Sequence, residues 1–120
     1  MPIQYKIGEK DTRPWGDWEV LDIGAHYIVK RIRVLPDKKL SLQKHHFRAE
    51  HWIITEGTAT ITLGEREFEA PADTAVFIPV GEIHRIENKT TQPIIFIEVQ
   101  TGGTLDENDI VRLEDQYGRC

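Results

Sequence analysis

Residues 42–52 read LQKHHFRAEHW, and residues 79–88 read PVGEIHRIEN. In an extended strand, alternate side chains share a face. Gln43 and His45, two residues apart, therefore point the same way. Glu50 comes past a short turn and faces back toward them from the next strand, and His84 arrives from far along the chain. Two imidazoles, a carboxylate and an amide oxygen make a mixed N/O donor set suited to a borderline divalent metal. Three histidines within seven residues (His45, His46, His51) also fit a solvated surface, so residue types alone leave both readings open. The same alternation turns His46 away from His45 and His51 away from Glu50, while His26 opens a strand at the surface.

Outward from these blocks the chain breaks into short runs rich in β-branched residues. Strands are predicted over residues 18–23, 26–35, 40–47, 51–56, 58–63, 66–69, 74–78, 84–87 and 94–100. Gly24, Pro36-Asp37, Gly64-Glu65 and Pro71-Ala72-Asp73 mark turns, and Glu56-Gly57 reads as a hairpin between its flanking runs. Turn signals at this spacing predict an all-β sandwich or barrel. Residues 1–14 read as an irregular arm and residues 101–120 as a tail packing on the barrel. One helical turn is expected within residues 106–115, with Leu105, Ile110, Val111 and Leu113 laid on the sheets.

The 120 residues suit one domain, residues 1–120, with 39% hydrophobic residues to form its core. Twenty acidic against fifteen basic residues leave a net charge of −5, which argues against nucleic acid or anionic lipid as partner. The single cysteine, Cys120, excludes an internal disulfide framework and a cysteine-rich zinc site and agrees with a reducing compartment. No apolar run approaches the roughly 20 residues of a membrane span, and the N-terminus lacks a signal-peptide core. The expected compartment is the cytoplasm.

Glu50 is followed by six residues and then Gly57, and the second block reads Pro79-x-Gly81-x-x-His84-x-x-x-Asn88. These blocks resemble the two motifs of the cupin superfamily, which implies a double-stranded β-helix built as a jelly-roll sandwich. Two departures stand out. Gln43 occupies a position that is commonly His, and Asp73 stands where the second motif usually opens with Gly. A closer resemblance is to the type II mannose-6-phosphate isomerase domain. It is carried in order by Arg13-Pro14-Trp15-Gly16-x-Trp18, Val29-Lys30-Arg31-Ile32, Leu40-Ser41-Leu42-Gln43-x-His45 and Arg48-Ala49-Glu50-His51-Trp52. Ile78-Pro79-x-Gly81-x-x-His84-Arg85-x-x-Asn88, Ile97-Glu98-Val99-Gln100, and Asp109-Ile110-Val111-Arg112 through Asp115-x-Tyr117-Gly118-Arg119 complete it.

The resemblance implies interconversion of mannose 6-phosphate and fructose 6-phosphate at one divalent ion per chain. Zinc comes first, with cobalt, manganese, nickel or iron as alternatives, and Gln43, His45, Glu50 and His84 are the expected ligands. That domain often forms the C-terminal part of a bifunctional enzyme with a mannose-1-phosphate guanylyltransferase half. These 120 residues hold no such half, so a separate guanylyltransferase chain is one partner the domain could pair with. The family commonly has His where this chain has Phe47. A regular strand would carry Phe47 onto the Gln43–His45 face, where it would remove a polar contact or reshape the pocket.

An isomerase of this kind needs a base at C1 and C2 and cations for a phosphate. Lys30 shares a strand face with Ile28 and Ile32, which points it into the barrel; at a sheet edge it would instead snorkel to water. Glu98 alternates with Phe96 and Ile94 and is either a desolvated base or half of a buried salt bridge. Phosphate candidates are Arg13, Lys30, Arg48, Arg85, Arg112 and Arg119, with Arg119 carried across the barrel mouth by the tail. Lys30, Glu98 and Arg119 form the expected catalytic set, and Arg48 and Arg85 the expected substrate contacts. The alternative for Asp109, Arg112 and Asp115 is a set of surface ion pairs of little energetic weight. Trp15, Trp18 and Trp52 are expected in the core or at a homodimer contact. Two rival functions remain open: a non-catalytic sugar-phosphate-binding or regulatory cupin, and another metal-dependent cupin enzyme such as an oxygenase.

Overall fold

A computed structural model of the protein describes residues 5–103, 105–106 and 108–114. Among the described residues the turn signals separate eleven strands, and there is no helix. In chain order they are β1 Lys10–Arg13, β2 Gly16–Ile23, β3 Tyr27–Val34, β4 Leu42–Lys44, β5 Ala49–Glu56 and β6 Thr58–Leu63. Then come β7 Arg66–Pro71, β8 Ala75–Ile78, β9 His84–Glu87, β10 Ile94–Thr101 and β11 Val111–Glu114. They form two antiparallel sheets, ordered β1-β2-β3-β10-β5-β8 and β11-β4-β9-β6-β7.

Alternation decides which side chains meet between the sheets. On β10, Ile94, Phe96, Glu98 and Gln100 are buried, while Ile95, Ile97 and Val99 between them are half-exposed. Glu98 lies between Lys30 of β3 and Trp52 of β5, and Gln100 between Ile28 and Glu50. The apolar core joins Ile32, Val34, Ile54, Ile94 and Phe96 of the first sheet to Ala59, Ile61 and Ile86 of the second. Burying each large side chain contributes about 1.5–3 kcal/mol. Trp15 and Trp52 are buried in this core and Trp18 packs against it, so the tryptophans are core residues.

Three local expectations change. Lys10–Arg13, expected within an irregular arm, pairs with β2 as an edge strand. Glu56-Gly57 is not a hairpin, because β5 and β6 belong to different sheets. Gly57 turns the chain from one sheet to the other at φ 80°, and a Cβ there would lie 2.7 Å from the Pro93 carbonyl oxygen. The described part of the tail forms strand β11 on β4 in place of a helical turn. The unusual Asp73 has φ 72°, a left-handed conformation that Asp tolerates better than most residues and that accounts for the glycine usual there.

Candidate metal centre

β4 ends at Lys44, and His45 sits in the loop just beyond it, 2% exposed. Glu50 lies on the inward face of β5 and His84 opens β9, each also 2% exposed. The loop blocks are tied together where the Gly81 N–H, at φ 82°, donates to the His45 carbonyl at 2.8 Å. His45 Nε2 lies 3.1 Å from Glu50 Oε2, and His84 Nε2 lies 3.8 Å from Glu50 Oε1. The three donor atoms fall within 4.8 Å of one another.

The outer nitrogens decide what this cluster suits. His84 Nδ1 donates to the Glu82 carbonyl at 2.9 Å, and His45 Nδ1 donates to the Asp109 carbonyl. With Nδ1–H used in this way, each neutral ring turns an Nε2 lone pair toward the Glu50 carboxylate. A lone pair facing a buried carboxylate calls for a proton or a cation; Arg48 Nη2 comes within 3.3 Å of His45 Nε2, and a dication would serve all three donor atoms at once. Burial lowers the His84 pKa despite the nearby Glu50 charge, which favours the neutral, ligating ring. Burial alone would raise the Glu50 carboxyl, but the Arg48 charge beside it outweighs burial and holds the group well below its ordinary value. The set therefore fits a divalent ion. Gln43 pairs with His84 across β4 and β9, and its amide nitrogen donates to Ser41 Oγ at 2.9 Å.

The second carboxylate is joined to the first by one indole. Trp52 Nε1 donates to Glu50 Oε1 at 3.0 Å and to Glu98 Oε1 at 3.1 Å, and Gln100 Nε2 donates to Glu98 Oε2 at 3.0 Å. Burial, reinforced by the Glu50 charge, pushes Glu98 up to about 7. Glu98 thus takes two neutral donors, with Lys30 opposite it on β3. Lys30 is buried, with its ammonium 4.0 Å from the Tyr5 ring centroid and 4.7 Å from that of Trp18.

Gln43, Glu50, His84, Trp52, Glu98 and Lys30 line a cavity of about 290 Å³, with Arg13, Arg48, Arg85 and Arg112 also in its wall, while His45 sits behind it. Arg48 donates to Glu50 Oε2 at 2.9 Å, and its Nη2 lies 3.3 Å from His45 Nε2. Burial would lower the Arg48 pKa, but the Glu50 and Glu98 charges raise it overall. Arg85 donates to the Leu40 carbonyl at 3.0 Å and to Glu114 Oε1 at 3.1 Å. Arg119 lies outside the described residues.

Phe47 is 61% exposed and does not line the cavity, contrary to the regular-strand expectation. His26, His46 and His51 are exposed, and the His51 ring lies 4.8 Å from that of Phe77. Sequence reasoning missed Tyr5, the bridging Trp52 N–H and Asp109. Asp109 is 7% exposed, and its carboxylate accepts from the His46 and Phe47 N–H groups, so it is no surface ion pair.

Residues 3–115 match the family described as "Mannose-6-phosphate isomerase C-terminal". Xanthan biosynthesis protein XanB of Xanthomonas campestris pv. campestris is 50% identical over 110 residues, 92% of this chain and 24% of that protein. Mannose-1-phosphate guanylyltransferase RfbM of Salmonella typhimurium is 44% identical over 115 residues, 96% of this chain and 24% of that one. The chain thus spans about a quarter of the length of these relatives. An uncharacterized conserved protein with a double-stranded β-helix domain from Klebsiella pneumoniae superposes with a TM-score of 0.72 at 18% identity, covering 94% of this chain and 91% of that one. The fold is that β-helix, as the two sequence blocks implied, and the chain belongs to the mannose-6-phosphate isomerase C-terminal family of cupin domains.

Proposed function

We propose that this domain is a divalent-metal-dependent aldose–ketose isomerase whose substrate pair is mannose 6-phosphate and fructose 6-phosphate. The observation that carries the reading is the Glu50–Trp52–Glu98 connection, which joins a metal-competent carboxylate to a carboxyl near 7 inside one cationic cavity. A divalent ion held by Gln43, His45, Glu50 and His84, zinc first for this N/O set, would polarise the carbonyl and neighbouring hydroxyl oxygens of the open-chain sugar. Glu98 takes the proton from C2 of the aldose and returns it to C1, while one hydroxyl proton passes from O2 to O1, so atoms balance. A base near ambient pH combines usable strength with a useful deprotonated fraction.

Lys30 has a different part. Two aromatic faces stabilise its ammonium, so it offsets negative charge on the enediolate and leaves the base role to Glu98. Arg48 and Arg85 contribute charge to the wall while held by Glu50 and Glu114, and Arg13 and Arg112 add cations for the phosphate. Arg119 remains part of the proposal from the sequence alone. The outer face of the first sheet, where Ile53 and Phe77 are 48% and 53% exposed, is the proposed homodimer contact, tested by light scattering. A mannose-1-phosphate guanylyltransferase is the proposed functional partner, in the cytoplasm; RfbM, a relative four times longer, carries that activity in its name.

The test is a coupled isomerase assay on metal-reconstituted protein with mannose 6-phosphate, with His45→Ala and Glu50→Ala as controls. Turnover that requires metal and vanishes in both variants is expected. No turnover, with one equivalent of metal and a sugar phosphate bound, would replace this reading with a binding cupin. Iron-dependent oxygen consumption would replace it with an oxygenase.

A further inference from the structure

The loop that presents His45 has little ladder of its own. β4 ends at Lys44 and β5 begins at Ala49, leaving residues 45–48 to be held by other means. One residue supplies most of that hold. The Asp109 carboxylate accepts from the His46 N–H through Oδ1 at 2.7 Å and from the Phe47 N–H through Oδ2 at 2.9 Å. Its own carbonyl accepts from His45 Nδ1. The side chain thus fixes the loop backbone, and the main chain of the same residue fixes the rotation of the imidazole.

Asp109 is itself anchored. Its N–H donates to the Asp106 carbonyl at 3.0 Å, and nearby Leu105 is 4% exposed against Val20 and Ile28. Two residues on, β11 pairs with β4, setting Val111 opposite Lys44 and Arg112 opposite Gln43. The C-terminal segment therefore braces both Gln43 and His45. Groups that orient ligating histidines tune metal affinity by roughly 10–100-fold.

We infer that Asp109 is a positioning residue for the metal centre, setting the direction of the His45 Nε2 lone pair without touching metal or substrate. The inference rests on the metal-centre reading above. Its test compares the wild-type chain with Asp109→Ala and Asp109→Asn. Each is stripped of metal and titrated with cobalt(II), reading affinity and visible absorption, and amide hydrogen exchange is followed at His46 and Phe47 in the metal-free protein. Asp109→Ala should lose about 10–100-fold in cobalt affinity, change the cobalt spectrum and exchange both amides faster. Asp109→Asn, with one acceptor oxygen left, should fall between, and it carries the test if the alanine variant does not fold. A merely structural role would lower the melting temperature and leave the spectrum and affinity of the folded protein unchanged, which would overturn the inference. Unchanged protection of the two amides would overturn it independently. Failure of the wild-type chain to take up cobalt would instead overturn the metal-centre reading and, with it, the role assigned to Asp109.

Discussion

The two ends of the barrel are built from the same strands and differ in what those strands point inward. Toward one end β10 buries Ile94 and Phe96, flanked by Val34 and Ile32 of β3 and by Ile54 of β5. Toward the other it buries Glu98 and Gln100, flanked by Lys30, Trp52 and Glu50. Along β10 the period of two is unbroken across the change, although its pairing with β5 shifts register between Ile95 and Phe96. The apolar end gains free energy by leaving water. The polar end costs free energy to dry, and its charges persist because each has a partner. A strand that switches from apolar to ionisable residues on its buried face marks the functional end of such a barrel.

The largest effect that can break the comparison is at the apolar end. Ile94→Ala should destabilise the protein by about 2–5 kcal/mol in urea unfolding, by equal amounts with and without metal, since Ile94 is fully buried and does not line the cavity. A metal-dependent loss would mean that the two ends are not energetically separate. At the polar end, Arg48→Met leaves Glu50 buried without its cation, at a cost of about 3 kcal/mol in metal-free protein. Here the loss should shrink when zinc is added, because a bound dication takes over part of the compensation. Unfolding curves with zinc and with chelator check both signs.

Much of this division was legible from residue types. Alternation put Glu98 on an apolar face, left Lys30 between the barrel and a sheet edge, and turned Gln43, His45 and Glu50 toward one another, while His84 joined them through the resemblance of its block to the second cupin motif. The failures share a cause: local pattern does not report which distant segment a residue meets. Glu56-Gly57 has the composition of a hairpin, yet the chain there crosses between sheets. Asp109 makes its contacts 62 and 63 residues away, where no spacing rule reaches. Phe47 was misplaced because the alternation argument assumed a strand over residues 40–47, whereas β4 is only Leu42–Lys44.

Glu98→Gln sharpens the polar end with a smaller effect. In the proposed isomerase reaction, turnover of the metal-loaded protein should fall about 100-fold, in keeping with loss of a general base. In metal-free protein the same variant reports the cost of ionising the buried carboxyl. The folded group titrates near 7 against an ordinary value of 4.5, so between these pH values the native state holds a proton that the unfolded chain has released. Wild-type stability therefore loses a contribution as pH rises through that window, with a slope on the order of 1 kcal/mol per pH unit. His84, lowered by burial, works in the opposite direction up to its ordinary 6.5, but it is present in both proteins and cancels in the difference. Glutamine removes the Glu98 contribution, so the variant should gain on wild type from pH 5 to pH 7 and then run parallel. A pH-independent difference would place the Glu98 carboxyl in its ordinary range and remove its claim to be the base.

The smallest effect is predicted at the most conspicuous departure from the family pattern. Phe47 contributes its backbone to the site, through the N–H held by Asp109, while its ring is 61% exposed with the His46 ring 6.2 Å away. Phe47→His should change stability by less than about 0.5 kcal/mol and leave cobalt affinity unaltered, since exposed substitutions away from caps and strained positions do little. Isomerase turnover should likewise stay within a factor of about two, because no atom of the ring borders the cavity. A marked gain in turnover would show that the 45–48 loop swings its side chains inward when substrate binds, and the polar end would then extend one residue further than its resting geometry shows.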